Sequence, residues 1–344
     1  MTTTWSLVST MLGVPETVLP CIAHHLNSDA ERLHIYLDAP LPQIEAALAA
    51  HPRCVVTVCD KAYWAKIPGG RPDGIVRRQL ANVEHARRHS SSDWLVHVDS
   101  DEFLVSADPS KPLRLGEELE KVPTHHEWVR IAPMERVLPM GSQPNSIFEG
   151  VFRRPTNDAE LINRVYGRGA GYLHKGMSGH ARGKVGWRRG TTLKVRLHDV
   201  IWPLAKGVKP KPAYPPSELP PFTRLKAVDL LHFDAWTPLQ WTAKLVRLHE
   251  TGFDAKSHNR GKSILYMAEN TDADQRARLY DLVQCLSSEG MQALEDHKLL
   301  SKLAFSPEKV TRDTFPEVPM DFRVASFDAR LRASNSEFYQ RHKI

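Results

Sequence analysis

The stretch Trp94-Leu95-Val96-His97-Val98-Asp99-Ser100-Asp101-Glu102-Phe103-Leu104 joins an apolar run of strand length to three carboxylates. A continuous apolar run marks a buried strand, and the carboxyl ends of such strands are where α/β proteins place ligand chemistry. In extended backbone Asp99 and Asp101 project to the same side, with Cα atoms roughly 6.6 Å apart. Two carboxylates so placed suit a hard divalent cation presented to a diphosphate. Asp-x-Asp alone is a weak signal, and the chain carries its own control. Asp272-Ala273-Asp274 has the same spacing but follows Asn270-Thr271 and opens a polar, charge-rich stretch, where acids suit a helix N-terminus.

Working outward, strands are expected at Thr4 to Met11, Arg32 to Leu37 and Cys54 to Cys59, ahead of the one that runs into Asp99. Helical spacing fills the gaps: Gly13 to Asn27, where Pro15 and Pro20 complicate the start, then Leu41 to Ala50 and Gly74 to His89. Strands alternating with helices predict a parallel sheet with crossover helices. Asp38, Asp60 and Asp99 each follow a strand. One such Asp is ordinary turn chemistry; three in succession read as the rim of a site. Neither a Gly-x-Gly-x-x-Gly turn nor a Gly-x-x-x-x-Gly-Lys-Ser/Thr loop is present, which argues against the dinucleotide and P-loop folds.

Later strands are expected at Glu127 to Val137, Ser146 to Arg153, Thr191 to Val200 and Val228 to Phe233, extending the sheet in mixed sense. A proline-rich connector covers 203–221, a helix Thr237 to Gly252, and the rest from Asp272 reads as mainly helical. The chain of 344 residues carries a net charge of +6, and no Asp or Glu interrupts Leu161 to His198, where Lys175, Arg182, Lys184, Arg188 and Arg196 lie among glycines. Such a segment suits anions, or is a solvated basic loop. Four cysteines at irregular spacing suggest reduced thiols, and the lack of a long apolar run or a signal-like start suggests a cytoplasmic protein. His24-His25 and His125-His126 read as surface pairs, His232 as a core histidine or a metal ligand, and Arg77-Arg78 with Arg87-Arg88 as a solvated face or a contact for anionic lipid.

In its order of elements and its Asp-Ser-Asp-Glu-Phe-Leu string, 99–104, the chain resembles bacterial family-2-like glycosyltransferases of the GT-A fold. Arg78-Gln79 with Asn82, and Leu230-Leu231-His232-Phe233 followed by Leu239 to Lys244, add to the resemblance. The family's Asn-Glu pair after the first strand is absent; only Glu16 survives there. The resemblance implies a GT-A-like α/β domain over 1–255, with a nucleotide-binding half (1–105), an acceptor-side half (106–255) and a helical extension (256–344). Its sheet is mixed and mainly parallel. It implies that Asp38 lies near the nucleotide base or ribose, that Asp99 contacts the ribose or a metal-bound water, and that Asp101 ligates Mn²⁺ or Mg²⁺ with His232 completing the shell. Lys175, Arg182 and Lys184 are candidates to clamp the leaving diphosphate, with Asp60, Arg78 and Gln79 around the donor.

An inverting transfer needs a general base, for which Glu102, Glu149, Asp199 and Asp234 are the candidates, with Asp101 counted among the catalytic residues through its metal. The implied activity moves a sugar from a nucleotide-diphosphate sugar to a saccharide or lipid-linked acceptor, in surface polysaccharide or glycoconjugate assembly. It implies peripheral contact with the inner face of the cell membrane and no nucleic-acid partner. A sugar-phosphate nucleotidyltransferase and a basic polyanion-binding protein are the alternatives.

Overall fold

The four early apolar runs form strands β1 (Trp5–Met11), β2 (Arg32–Leu37), β3 (Cys54–Val58) and β4 (Trp94–His97), joined by α1 (Pro15–Leu26), α2 (Pro42–Ala49), α3 (Lys61–Ala65) and α4 (Ile75–His89). Every residue of β1 and β4 is buried, as continuous apolar strands require. In α1, Pro15 takes the first turn, where its missing N–H is harmless, and the helix continues through Pro20. This computed structural model describes residues 3–205, 208, 211, 214–252 and 259–344.

Further along come β5 (Glu102–Ser106), α5 (Leu115–Glu120), β6 (Trp128–Pro139), β7 (Val151–Arg153), α6 (Ala159–Tyr166), β8 (Lys184–Arg188), the short pair β9 (Lys194–Val195) and β10 (Val200–Ile201), β11 (Thr223–His232) and α7 (Pro238–Glu250). The C-terminal region is helical, as expected: α8 (Asn259–Glu269), α9 (Ala273–Gln284), α10 (Ser288–Asp296), α11 (Glu308–Thr314), α12 (Val324–Ser334) and α13 (Ser336–Arg341), with two-residue strands β12 (Cys285–Leu286) and β13 (Leu300–Ser301) among them. Asp272 caps α9 by accepting from the Gln275 N–H, the helix-start role its context indicated.

The described residues divide into two compact units, the first from 1–132, 182–230 and 310–318, the second from 133–181, 231–309 and 319–344. In the first, strands lie in the order β6-β8-β4-β1-β2-β3. β4, β1, β2 and β3 are parallel, while β8 runs antiparallel between β4 and β6. This is the mixed α/β sheet with a parallel half that the element order predicts. Tyr36, Tyr63, Trp64, Val83, Trp128 and Trp187 pack in its core. In the second, β7 pairs antiparallel with β6 and β13, and Phe148, Phe152, Phe233 and Trp236 stack together. The expected boundary at 255 and parts of the proline-rich connector lie outside the described residues.

Several expectations need correction. Asp99 to Asp101 is not extended: the Glu102 N–H donates to the Asp99 carbonyl at 3.1 Å, and Glu102 Oε2 accepts from the Asp99 N–H at 2.8 Å. Glu102 thus closes a tight turn and opens β5. The strand expected from Ser146 shrinks to β7, because the Ser146 N–H turns to Glu149 Oε1 and Gly150 adopts a φ of 147°. Thr191 to Val200 yields only β9 and β10, with the Arg196 N–H bonded to the Asp199 carbonyl between them. His25 is wholly buried, not a surface residue: its ring accepts from the Leu104 N–H at 3.2 Å.

Candidate functional site

The site of the first unit forms where β1, β2 and β4 end. Thr10, Asp38 and Asp99 stand at those ends, and one helix reaches all three. Arg78 Nε donates to Asp38 at 2.9 and 3.1 Å, Gln79 Nε2 to Asp99 Oδ1 at 2.6 Å, and Asn82 Nδ2 to Thr10 Oγ1 at 2.9 Å. Positions three and four apart share a helix face, so α4 turns this polar set toward the strand ends while Val83 and Ala86 of the same helix pack into the core. Arg71, half exposed, also reaches Asp38 at 3.5 Å.

Lys184 completes the set. Its side chain is wholly buried, with Nζ 2.5 Å from Asp99 Oδ2 and 3.3 Å from Glu102 Oε2. Burial alone would lower its pKa, but the Asp99 and Glu102 carboxylates raise it above the ordinary lysine range. Burial likewise opposes ionisation of Asp99, yet Lys184 holds that carboxyl well below the usual range. The pair is therefore ionised, as a buried ammonium requires. Burial and the Lys184 charge push His97 down to about 3. His198, whose Nδ1 lies 2.9 Å from the Gly183 carbonyl, is also held neutral by burial and by Lys184. Burial and the charges of Glu102, Asp101 and Asp99 push the Cys21 thiol up. Asp99 itself stays 31% exposed, so the ordered carboxylate keeps an open side.

The remaining sequence candidates scatter. Asp60 caps α3, accepting from the Tyr63 N–H at 2.8 Å. Asp199 is buried against Arg182 at 3.1 Å and Arg196 at 3.2 Å. Asp101 is half-buried in the turn and Glu102 buried. Lys175 is exposed, with a left-handed φ of 56°, and Glu149 is exposed. Of the four helix arginines read as a solvated or lipid-facing set, Arg78 turns to Asp38, and Arg87 pairs with Glu84 at 2.7 Å and donates to the Thr191 carbonyl. Sequence reasoning missed His97 and His198. His97 lies two residues before Asp99, and that proximity was its signal; nothing near His198 marked it.

The second unit holds a different charged cluster, of which the sequence singled out His232 and Asp234 but not Glu135 or Arg153. Glu135 and Arg153 are cross-strand partners in the β6–β7 register, both wholly buried and ion-paired. Glu135 also accepts from the Ser178 N–H at 2.8 Å and the Gly179 N–H at 2.5 Å. Asp234 is held by Arg260 at 2.7 Å, Lys244 at 3.0 Å, Ser178 Oγ at 2.9 Å and Trp241 Nε1 at 3.3 Å. His232 lies between them, 4.0 Å from Glu135 and 3.9 Å from Asp234. A Cβ on Gly179 would fall 2.5 Å from His232 Cε1 and 2.8 Å from Glu135 Oε2, so only glycine fits there.

Asp99, one of the expected ligands, does not fit a divalent ion in this arrangement. Both Asp99 oxygens are engaged, one by Gln79 and one by Lys184. His232 belongs to the second unit and faces Glu135 and Asp234. Among the described residues no three His, Cys, Asp or Glu side chains are grouped to hold a metal. Among them, too, no helix is long and apolar enough to cross a membrane.

No family model matches the chain, and no curated protein matches it. Among solved structures, it is similar to a mycobacterial protein (17% identity over 54% of each chain, TM-score 0.28). HddC from Yersinia pseudotuberculosis matches at 9% identity over 46% of this chain and 66% of that one, with a TM-score of 0.27. A Bacillus anthracis protein assigned as a glucose-1-phosphate thymidylyltransferase, crystallised with sucrose, matches at 11% identity over 45% and 61%, with a TM-score of 0.27. The chain spans about half to two thirds of the length of these structures.

Proposed function

We propose that this chain is a glycosyltransferase that takes its sugar from a nucleotide-diphosphate donor held at the β1, β2 and β4 ends. One observation carries the reading: Asp38 and Asp99, at the ends of the two strands that flank β1, are oriented by successive residues of one helix, Arg78 and Gln79. Ionised carboxylates are acceptors only, so an oriented pair suits the hydroxyls and N–H groups of a nucleoside. Arg71 offers a charge beside Asp38 for phosphate oxygens.

In the transfer, the acceptor oxygen bonds to the anomeric carbon, and the bond from that carbon to the diphosphate oxygen breaks. The electron pair leaves on the nucleoside diphosphate, and a carboxylate takes the acceptor proton. Of the candidate bases in the first unit, Glu102 and Asp199 are buried against cations, whereas Asp101 is half-buried in the turn. Asp101 is therefore our choice. A role in surface polysaccharide or glycoconjugate assembly accords with this chemistry.

The test is product analysis with UDP-, GDP- and dTDP-sugars and saccharide acceptors. A glycosyltransferase should yield a nucleoside diphosphate and a glycosylated acceptor from one donor class, and Asp101→Asn should lose both. Pyrophosphate released from a nucleoside triphosphate and a sugar 1-phosphate would establish a nucleotidyltransferase instead.

A further inference from the structure

We propose that Lys184 is the resident counter-cation of the strand-end site, and that nucleotide diphosphate binds there without a divalent ion. The inference rests on the nucleotide reading above and concerns how that site balances charge.

The sheet itself delivers the ammonium. β8 runs antiparallel between β4 and β6, with Gly186 opposite both Val96 and Val129 and Lys184 opposite Ile131. Gly186 permits this fit: a Cβ there would sit 3.0 and 3.1 Å from the Val96 and Val129 methyls. Two residues before Gly186, on the antiparallel strand, Lys184 is thereby set beside the turn that follows β4. Its Nζ lies 2.5 Å from Asp99 and 3.3 Å from Glu102. Its side chain is wholly buried on a strand paired on both sides, so it has no solvent position to retreat to. A divalent ion on Asp99 would face this fixed charge, while the carboxylates it needs already neutralise an ammonium. Positive charge for the phosphates comes instead from guanidinium groups, with Arg71 51% exposed beside Asp38.

The experiment is calorimetric titration of the full chain with UDP, GDP, CDP and ADP, once in EDTA and once in Mn²⁺. The expected result is one nucleotide binding with affinities that agree within about twofold in the two buffers. Lys184→Gln leaves Asp99 and Glu102 facing each other uncompensated. Its affinity in EDTA should fall by about tenfold or more and recover in Mn²⁺. Lys184→Arg, which keeps the charge, should bind equally in both buffers, and it covers the case in which Lys184→Gln does not fold. Binding by wild type only in Mn²⁺ would overturn the proposal and leave the nucleotide reading standing. Absence of nucleotide binding in both buffers would overturn both.

Discussion

The chain holds two clusters of acids, bases and histidine, similar in composition and opposite in finish. Around Glu135 and Asp234, every carboxylate is wholly buried and met by two or more donors, backbone N–H groups among them. Around Asp99, the carboxylates are ordered just as firmly, by Lys184 and Gln79, yet Asp99 keeps about a third of its surface open at strand ends. Residue type alone does not separate scaffold from site. What separates them is whether any lone pair still faces solvent once the internal partners are counted. On that criterion we assign Asp99 to the proposed site and Asp234, a candidate base by sequence, to the scaffold.

The comparison breaks most visibly through Arg153. Arg153→Ala leaves Glu135 as a buried uncompensated charge and should destabilise the fold by about 3–5 kcal/mol, read by urea denaturation. A loss below about 1 kcal/mol, the range of a surface pair, would mean the buried cluster is no scaffold. Gly179→Ala sharpens the same point: the added methyl meets His232 and Glu135, and overpacking should cost about 1–3 kcal/mol in the same assay.

A pH titration probes the first unit's core instead. Burial, then the charges of His85, His89 and Arg32, lower His34 to about 4. Between that value and its ordinary 6.5 the unfolded chain binds the proton and the folded chain does not. Stability is therefore full above about pH 6.5 and falls on acidification toward about 4, by at most about 1.4 kcal/mol per pH unit. His34→Gln should flatten that slope in urea melts at stepped pH; an unchanged slope would assign it elsewhere. The smallest effect belongs to Asp60. As a helix cap, Asp60→Ala should cost about 1 kcal/mol and Asp60→Asn almost nothing, with nucleotide affinity untouched in both. Loss of affinity in Asp60→Asn would return Asp60 to the site.

The parallel half of the fold was legible because each of its strands is an apolar run and each crossover helix has its own period. Asp38, Asp99, Arg78 and Gln79 were legible because strand ends and a helix face are local features. The turn at 99–102 was not, since only the folded chain shows Glu102 bonding back to Asp99. Lys184 was legible as a cation and illegible as the partner of Asp99, 85 residues away, because that pairing depends on β8 entering the sheet antiparallel beside β4. Glu135 and Arg153 escaped for the same reason: only a cross-strand register unites them.

Hydrogen–deuterium exchange of the full chain, with and without the nucleotide that binds, tests most directly whether the donor sits at the strand ends of the first unit. Protection should be confined to the first turns of α4, 75–82, and the turn at 98–102, with 176–180 and 232–245 unchanged. Protection at 232–245 in place of 98–102 would contradict that placement and move the site to the buried cluster around Glu135 and Asp234.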